Sequence, residues 1–504
     1  MAGIFSKSNL PKRPGAYVNF AGAKAETNIT NPSGVIAIPL QHTFGPANTP
    51  VVINSWSEFL AKFTAGGTDT TVINSAKLAP DYTEGYLAVK QAFRGEDYQG
   101  RGGASQVIAY RMVPAAAVAA SVAIQNTTPA TGLTLTANHK GTYGNRLKVS
   151  VFQNASDNTK NDLVIYDNVS TVELERYTHT KASVTALAAT INANSDWVTA
   201  STAAGTVALA AITLQTFASG TDVAATATEY TAAVAALEPY RFSLFCAANL
   251  TDTSIVASVV AWASGLNSVG KRFLTVLGGG TSDDLTSAQT RATAINSAGT
   301  NDPNFVTLGI GQYVDTELGI LTTAQLAPRL AGIMANRGEQ QNITFARLTG
   351  LDVYSAAPTQ SQILSAIATG IVTIARDSNV ESPLRIEKGV TTYVLTGSVD
   401  KPYAIYSSPK YLRTMIALEM EMTEWAEGNI IGQVAVNDDS RNYVLNYMNT
   451  LLQTRQDLGI IQPGWEIGTD SSPAPTDQDE FVALSYSLTF GRSLEQILNT
   501  IVVG

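Results

Sequence analysis

The chain has 504 residues, of which 45% are hydrophobic and 14% charged, which allows about three to four domains with cores of their own. Its 32 Lys and Arg against 41 Asp and Glu give a net charge of −9, so there is no basic excess for binding a nucleic-acid backbone. No run reaches the roughly 18 apolar residues of a membrane helix, and the start lacks a signal-peptide core. We therefore expect no direct membrane insertion, and a protein that stays in the cytosol or leaves it without a signal peptide.

The first 113 residues mix short apolar runs with helical patterns, which is typical of α/β structure. The runs predict strands at 35–40, 51–54 and 106–111, and the patterns predict helices at 56–63 and 85–93. The same mixture returns after residue 237, so we expect one α/β domain assembled from two stretches of chain.

The composition changes at Pro114, and from there to about residue 236 the chain is rich in Ala and Thr. Leu147, Val149 and Val151 alternate with polar residues, the period of a half-buried strand, and a turn at 144–145 connects it to the strand before it. We predict a mainly β domain inserted at 114–236.

Apolar runs at 242–246, 273–279 and 305–311 are separated by helical patterns, which predicts a parallel α/β layer. Ser282 or Asp283 is the predicted N-cap of the helix that follows the second run.

Further elements follow toward the C-terminus. A helix is predicted to start at Thr322 or Thr323, with Gly338 just beyond its end, and strands are predicted at 384–387 and 391–395. A long amphipathic helix follows, which Asp439 or Ser440 caps and Gly459 ends. The alternation at 482–490 is the clearest strand pattern of the chain. Both termini are expected to be extended segments outside a compact body, where they could add strands to another subunit.

No residue pattern indicates catalysis or metal binding. His42, His139 and His179 lie far apart in the sequence, without acidic or Cys neighbours at ligand spacing. Cys246 is the single cysteine and lies in an apolar strand, which predicts a buried thiol rather than a nucleophile.

Two other segments are candidate ion-binding sites, one for an anion and one for calcium. The Gly turn at 278–280 could bind an anion at a helix N-terminus, but it lacks a Lys, and Asp283 and Asp284 favour a tight turn with a helix cap. A C-terminal acidic run does not match a calcium loop and is typical of a solvated surface; it contains Asp477, Asp479 and Glu480. We predict no catalytic, metal-binding or cofactor-binding residue and no cofactor, which favours a structural role.

Several motifs, in order along the chain, resemble those of the contractile tail sheath proteins of tailed bacteriophages and phage-tail-like bacteriocins. These motifs are RPGAYVNF (13–20), KGTYGNRLKV (140–149), LAPRLAGIMA (326–335), NITFARLTGLDV (342–353), GVTTYV (389–394), the stretch 411–461, and LEQILNTIVVG (494–504). Ala16, Tyr143 and Asn342 depart mildly from the family pattern. The order of the motifs, rather than any one of them, carries the resemblance.

The resemblance implies a structural subunit rather than an enzyme. Such subunits polymerise as stacked hexameric rings around an inner tube and contract from a metastable extended state to drive the tube through the target cell envelope. The implied partners are other copies of the chain, the inner tube protein, and baseplate and tail terminator proteins. The implied location is the tail of a virion or phage-tail-like particle assembled in the bacterial cytoplasm.

The resemblance also implies a multi-domain α/β and α+β architecture: an α+β sheath body with extended N- and C-terminal arms, plus a mainly β inserted outer domain. The predicted divisions are an N-terminal arm at 1–30, a middle domain at 31–113 and 237–369, the insertion at 114–236, the sheath body at 370–481 and an arm strand at 482–504. The predicted arm contacts between subunits are Pro11, Pro14, Gly15, Tyr17, Val482, Leu484, Tyr486 and Leu488. Arg441 and Arg455 are candidates for contact with the tube or a neighbouring subunit, or for solvated charges.

Three alternatives remain at this point. The terminal strands could pair inside their own subunit. The α/β layer could be an enzyme, with a pocket at the strand ends that gathers residues 278–284 and 309–313. The chain could also be a self-assembling surface or adhesive protein, which predicts a secretion signal.

Overall fold

The computed structural model describes residues 34–63, 84–96, 102–167, 172–202, 207–354, 357–376, 383–393, 405–434, 438–469 and 484–491. The helices are α1 (Trp56–Phe63), α2 (Glu84–Arg94), α3 (Val184–Asn194), α4 (Ala227–Leu237), α5 (Thr253–Ser268), α6 (Leu285–Ala298), α7 (Thr323–Arg337), α8 (Gln360–Ala368), α9 (Pro409–Asn429) and α10 (Asp438–Asp457). The strands are β1 (Val35–Leu40), β2 (Pro50–Ile53), β3 (Gln106–Arg111), β4 (Ala119–Gln125), β5 (Thr131–Lys140), β6 (Leu147–Gln153), β7 (Lys160–Asp167), β8 (Val172–Thr180), β9 (Val198–Thr202), β10 (Ile212–Thr216), β11 (Leu244–Cys246), β12 (Leu274–Gly278), β13 (Phe305–Leu308), β14 (Gln312–Asp315), β15 (Gly319–Thr322), β16 (Arg347–Leu348), β17 (Leu351–Val353), β18 (Ile371–Val372), β19 (Ile374–Ala375), β20 (Leu384–Ile386), β21 (Glu466–Thr469) and β22 (Leu484–Ser487).

A seven-stranded sheet in the order β18-β13-β12-β11-β1-β3-β2 forms the centre of the α/β part. All its neighbouring strands are parallel except β2 and β3. The parallel strands are continuously apolar because helices cover both faces of the sheet. Side chains of α1, α2 and α7 pack on one face and those of α4 and α5 on the other. The predicted α/β layer is confirmed, and it is assembled from two separate stretches of chain.

Helix α7 is buried along most of its length and packs against α2. A Cβ atom on Gly332 would lie 2.2 Å from the carbonyl oxygen of Ala92, so the two helices approach closely at that position. The hydroxyl of Thr322 accepts a hydrogen bond from the Gln325 amide and caps the helix, which confirms the predicted start.

Helix α6 begins one residue later than predicted. Its N-cap is Asp284, whose carboxylate accepts a hydrogen bond from the Ser287 amide at 2.8 Å. Neither Ser282 nor Asp283 caps it, because the carboxylate of Asp283 points into the protein and binds Arg291.

The segment that contains the predicted insertion forms a four-stranded sheet, β10-β6-β7-β8, and a three-stranded sheet, β4-β5-β9. Helix α3 and both sheets contribute to one apolar core. The predicted strand through Leu147 is β6, and a short 3-10 helix at Thr142–Arg146 connects it to β5. Helix α4, of which all but Leu237 falls in the predicted range 114–236, packs instead on the seven-stranded sheet.

The C-terminal part contains α9, α10 and the two-stranded sheet β21-β22, which share an apolar core. Val444, Met448 and Leu452 of α10 are buried in it, and Gly459 follows the helix with φ 70°. Residues 391–393, the described part of the strand predicted at 391–395, do not form a strand. Instead, the backbone amide of Thr392 donates a hydrogen bond to the carbonyl oxygen of Phe305 at 2.9 Å.

Candidate assembly site

Among the described residues, β21 and β22 form a two-stranded antiparallel sheet. Ile467 pairs with Tyr486 and Thr469 with Leu484. In the part of the chain that the structure describes, no third strand joins either edge. Two strands alone are marginally stable, and a free edge presents a row of unpaired N–H and C=O groups. Both edges can therefore accept a strand from another molecule.

The segment after β22 is fixed to the body of its own subunit. The amide of Gly491 donates to the carbonyl of Ile460 at 2.8 Å, and Nζ of Lys410 donates to the carbonyl of Gly491 at 2.9 Å. A Cβ atom on residue 491 would lie 2.3 Å from the Gly459 carbonyl oxygen, so the close approach requires glycine there. Residue 491 is thus anchored, and any arm begins after it.

This anchoring corrects the expectation of an extended arm for 484–490, which belong to the predicted arm strand 482–504. Residues 484–491 pair with their own chain, because Tyr486, Leu488 and Phe490 pack against the apolar core of α9 and α10. Five of the predicted arm contacts lie outside the described residues: Pro11, Pro14, Gly15, Tyr17 and Val482.

The two arginines predicted as interface candidates have different positions. Arg455 is only 6% exposed, and its guanidinium donates to Glu339 at 3.0 Å and to Glu421 at 2.7 Å. Burial raises the pKa of Glu339 in spite of this ion pair. Arg455 therefore binds carboxylates of its own chain. Arg441 lies in α10, and its side chain is outside the described part.

Two other buried cations were missed in the sequence. Lys410 and Arg413 lie in the first turns of α9, and Arg413 donates to the carbonyl oxygens of Met334 at 2.5 Å and Gln341 at 2.6 Å. Their only sequence signal is a spacing of three residues, which places two cations on one face of an otherwise apolar helix start. Together they join α9 to the α/β part and to the end of the C-terminal strand.

The Gly turn borders a cavity of about 580 Å³ between α5 and α6 at the ends of β11 and β12. The polar groups beside it bind one another. The carboxylate of Asp283 accepts hydrogen bonds from Arg291 at 2.6 Å, from the Thr323 hydroxyl at 3.0 Å and from the Ile310 amide at 3.1 Å. The carboxylate of Asp283 thus occupies hydrogen-bond donors that a bound anion could otherwise use. Residues 309–313, which the enzyme alternative places in the pocket, do not line the cavity.

The motif at 140–145 lies where the β domain joins the seven-stranded sheet. Arg111, at the end of β3, donates to the carbonyl oxygens of Gly45 at 2.8 Å and Lys140 at 2.5 Å. Asn145 exchanges two hydrogen bonds with the backbone of Gly220, at 2.8 and 2.9 Å. The motif therefore ties the chain that enters the β domain to the chain that leaves it.

Substituting Asn145→Ala is expected to loosen this joint. The change leaves two part-buried backbone groups of Gly220 without their partner, which should lower the free energy of unfolding by about 2 kcal/mol. Urea unfolding measures this, and limited proteolysis should cut faster near residues 217–226. The exposed Asn158→Ala is the matched control, and equal behaviour of the two variants would contradict the role of the joint.

Two of the three histidines, His42 and His139, also lie at this joint, where the charge of Arg111 acts on both rings. Burial lowers the pKa of His42 to about 4, and burial likewise lowers the pKa of His139 to about 4. His42 Nε2 is 2.8 Å from the Phe63 carbonyl oxygen, and the His139 ring lies 4.3 Å from that of Phe44. Among the described residues, no group of three or more His, Cys, Asp or Glu is placed to hold a metal.

Acid is expected to destabilise the fold through His42. Its folded pKa of about 4 lies below the unfolded value of 6.5, so protonation favours the unfolded chain. The stabilisation is complete above pH 6.5 and is lost as the pH falls to 4, by about 3 kcal/mol. Urea unfolding of wild type and His42→Gln from pH 7.5 to 4 measures this. The stability difference between them should shrink by that amount, and a pH-independent difference would contradict the assignment.

Cys246 is fully buried, and burial raises the pKa of its thiol, which confirms the predicted core position. Of the helices in the described ranges, none combines the length and the apolar character that a membrane span needs.

Two stretches of the chain match models of known protein domains. Residues 224–392 match the model of the phage tail sheath protein central domain, and residues 114–222 match that of the phage tail sheath protein beta-sandwich domain. Together the two matches span more than half of the chain. No curated protein sequence matches the chain.

Solved structures share the fold over nearly the whole length. The sheath tail protein of Desulfitobacterium hafniense has a TM-score of 0.68 at 20% identity, covering 94% of this chain and 100% of that one. The sheath tail protein Lin1278 of Listeria innocua has a TM-score of 0.63 at 16% identity, covering 91% and 96%. The helical sheath of the anti-feeding prophage in its contracted state has a TM-score of 0.52 at 11% identity, covering 98% and 99%.

Proposed function

The chain belongs to the phage tail sheath family, and from this premise we propose that it polymerises as stacked hexameric rings around an inner tube and contracts to drive that tube through a cell envelope. The observation that carries the proposal is the two-stranded sheet β21-β22, whose two edges have no third strand in the described structure. A polymer of identical chains can complete such a sheet at every copy.

Strand addition supplies the connection between subunits. Residues 1–30 and 492–504 are the proposed arms, and they would pair with the edges of β21 and β22 in neighbouring copies. The 13 residues after 491 can extend about 40 Å, which sets the largest distance that this arm could bridge. In strand addition the main-chain hydrogen bonds join an arm to a sheet and not one body to another, so such arms would hold the polymer together while the bodies move.

Contraction would use energy stored in the assembly. An extended polymer whose subunits gain contact area on contracting needs a difference of only a few kcal/mol per subunit, since the contribution of every copy adds to the total. No nucleotide or other cofactor is required. The hydrogen bonds of Lys410, Arg413 and Asn145 join separate parts of one subunit, which favours subunits that move as rigid bodies.

The proposed partners are the inner tube protein and the baseplate and terminator proteins at the two ends of the polymer. The proposed location is the tail of a virion or of a phage-tail-like particle, assembled in the host cytoplasm. We assign no enzymatic activity, in keeping with the polar groups around Asp283 that bind one another.

Negative-stain electron microscopy of the purified full-length protein, alone and with the tube protein, tests this proposal. Hollow striated cylinders are the expected result. Discrete particles under every condition, including with tube present, would overturn it.

A further inference from the structure

A basic and aromatic surface lies on the sheet β16-β20-β19. Arg347 and Arg385 are direct partners across the antiparallel pair β16–β20, and the guanidinium carbon of Arg385 lies 4.2 Å from the ring centroid of Phe345. Arg347 is exposed and has no hydrogen-bond or ion-pair partner among the described residues. We name Phe345, Arg347 and Arg385 the basic patch.

Two features of the basic patch are locally unfavourable. Like charges directly opposite each other destabilise an antiparallel pair, and among the described carboxylates that of Glu387 lies 3.4 Å from Arg385. Phe345 adopts φ 56° and its side chain is 50% exposed. The left-handed region is unfavourable for a bulky side chain, and a ring in solvent gains little burial in return. Unfavourable local structure of this kind is concentrated at binding sites.

The chemistry of the patch fits an acidic peptide. Guanidinium groups bind carboxylates with paired hydrogen bonds, and two of them side by side fit two carboxylates on one face of an extended chain. The exposed ring of Phe345 offers an apolar contact next to them.

The chain itself contains such a peptide. Residues 470–481 have no Lys or Arg and carry Asp470, Asp477, Asp479 and Glu480, followed by Phe481. In an extended conformation, residues 477, 479 and 481 would share a face, which would present two carboxylates and one ring to two guanidinium groups and one ring.

We propose that the basic patch binds the acidic segment 470–481 of a second copy of the chain. The inference rests on the proposed function, because polymerisation brings copies together. The 14 residues 470–483 connect Thr469 to Leu484, which are paired neighbours, so the segment starts and ends at one place. It can extend about 20 Å from there, beyond the surface of its own hairpin.

Charge reversal in two separate chains tests the proposal. One variant carries Arg347→Glu and Arg385→Glu, and the other carries Asp477→Lys and Asp479→Lys. Polymer yield is measured by sedimentation for each variant and for their equimolar mixture. Each variant alone should yield at least tenfold less polymer than wild type, and the mixture should recover, because each patch then meets a segment of opposite charge. Lys160→Glu with Lys181→Glu, in the β domain, is the matched control and should polymerise normally.

The other outcomes overturn the proposal. Normal polymers from both variants would show that the contact is not made. A single chain that carries all four substitutions is measured as well. Recovery in that chain but not in the mixture would show that the segment binds its own subunit. No recovery in either arrangement would show that something else occupies the patch. Wild-type polymers are scored separately, so failure of the proposed function itself is recognised by their absence.

Disulfide cross-linking gives a second readout for variants that fold poorly. Arg347→Cys and Gln478→Cys are placed in differently tagged chains, and the native Cys246 is fully buried and should not compete. Oxidation should yield a dimer of the two tagged chains, and Lys160→Cys with Gln478→Cys should not. Equal yields from the two pairs would overturn the proposal.

Discussion

A chain that lacks residues 492–504 will unfold at the same urea concentration as the full-length chain but will form no polymers. The described contacts of residues 484–491 remain in place, including the bond from Lys410 to Gly491, so the C-terminal core is kept. What is removed is the segment that we expect to complete the two-stranded sheet of a neighbouring copy. Sedimentation and electron microscopy measure the loss of polymers, and urea unfolding measures the stability.

A longer deletion provides the control. Removing 484–504 also removes β22, Leu488 and Phe490 from the C-terminal core, and each lost apolar side chain should contribute about 1 to 3 kcal/mol to the destabilisation. The two deletions should therefore differ in stability although neither polymerises. Polymers of normal length from the shorter deletion would contradict the role of the arm.

Substituting Arg413→Met is expected to lower the free energy of unfolding by about 3 to 5 kcal/mol. The side chain is 2% exposed, and its removal leaves the carbonyl oxygens of Met334 and Gln341 buried without this donor. Burial lowers the pKa of Arg413 to about 9, yet the group stays charged at neutral pH and its loss changes the local charge balance. Urea unfolding at pH 7 measures the effect.

Arg347→Met is the matched control for this substitution. Arg347 is exposed and without a partner in the described structure, so its loss should change the stability by less than about 0.5 kcal/mol. Equal effects of the two substitutions would show that Arg413 does not join α9 to the α/β part.

The alternation of strands and helices could be predicted from the sequence because burial on two faces leaves a periodic pattern. The runs around Val35, Leu147 and Leu274 became strands, and the cap at Thr322 was found at the predicted place. These features depend on neighbouring residues only, which is why a local pattern is sufficient to find them.

Features that depend on distant residues could not be predicted in this way. The alternation around Tyr486 indicates a strand but not its partner, which proved to be the chain's own β21. The carboxylate of Asp283 binds the side chains of Arg291 and Thr323 instead of the first amides of the helix, so the cap is Asp284, one residue later. Asn145 binds Gly220, 75 positions away, and this contact cannot be predicted from the motif around Asn145.

The buried positions of several Lys and Arg residues could not be predicted either, because these residue types usually lie at the surface. Lys410, Arg413 and Arg455 are all buried, and each binds an oxygen that a distant part of the chain supplies. Their positions are fixed by the packing of α9 and α10 on the rest of the molecule rather than by the local pattern.

A reconstruction of the polymer at side-chain resolution by electron cryomicroscopy would show which strands lie beside β21 and β22. We expect β21 and β22 to be joined at both edges by strands from other copies, one from residues 1–30 and one from residues 492–504. A polymer in which β21-β22 remains a two-stranded sheet, with contacts between bodies alone holding the copies together, would contradict it.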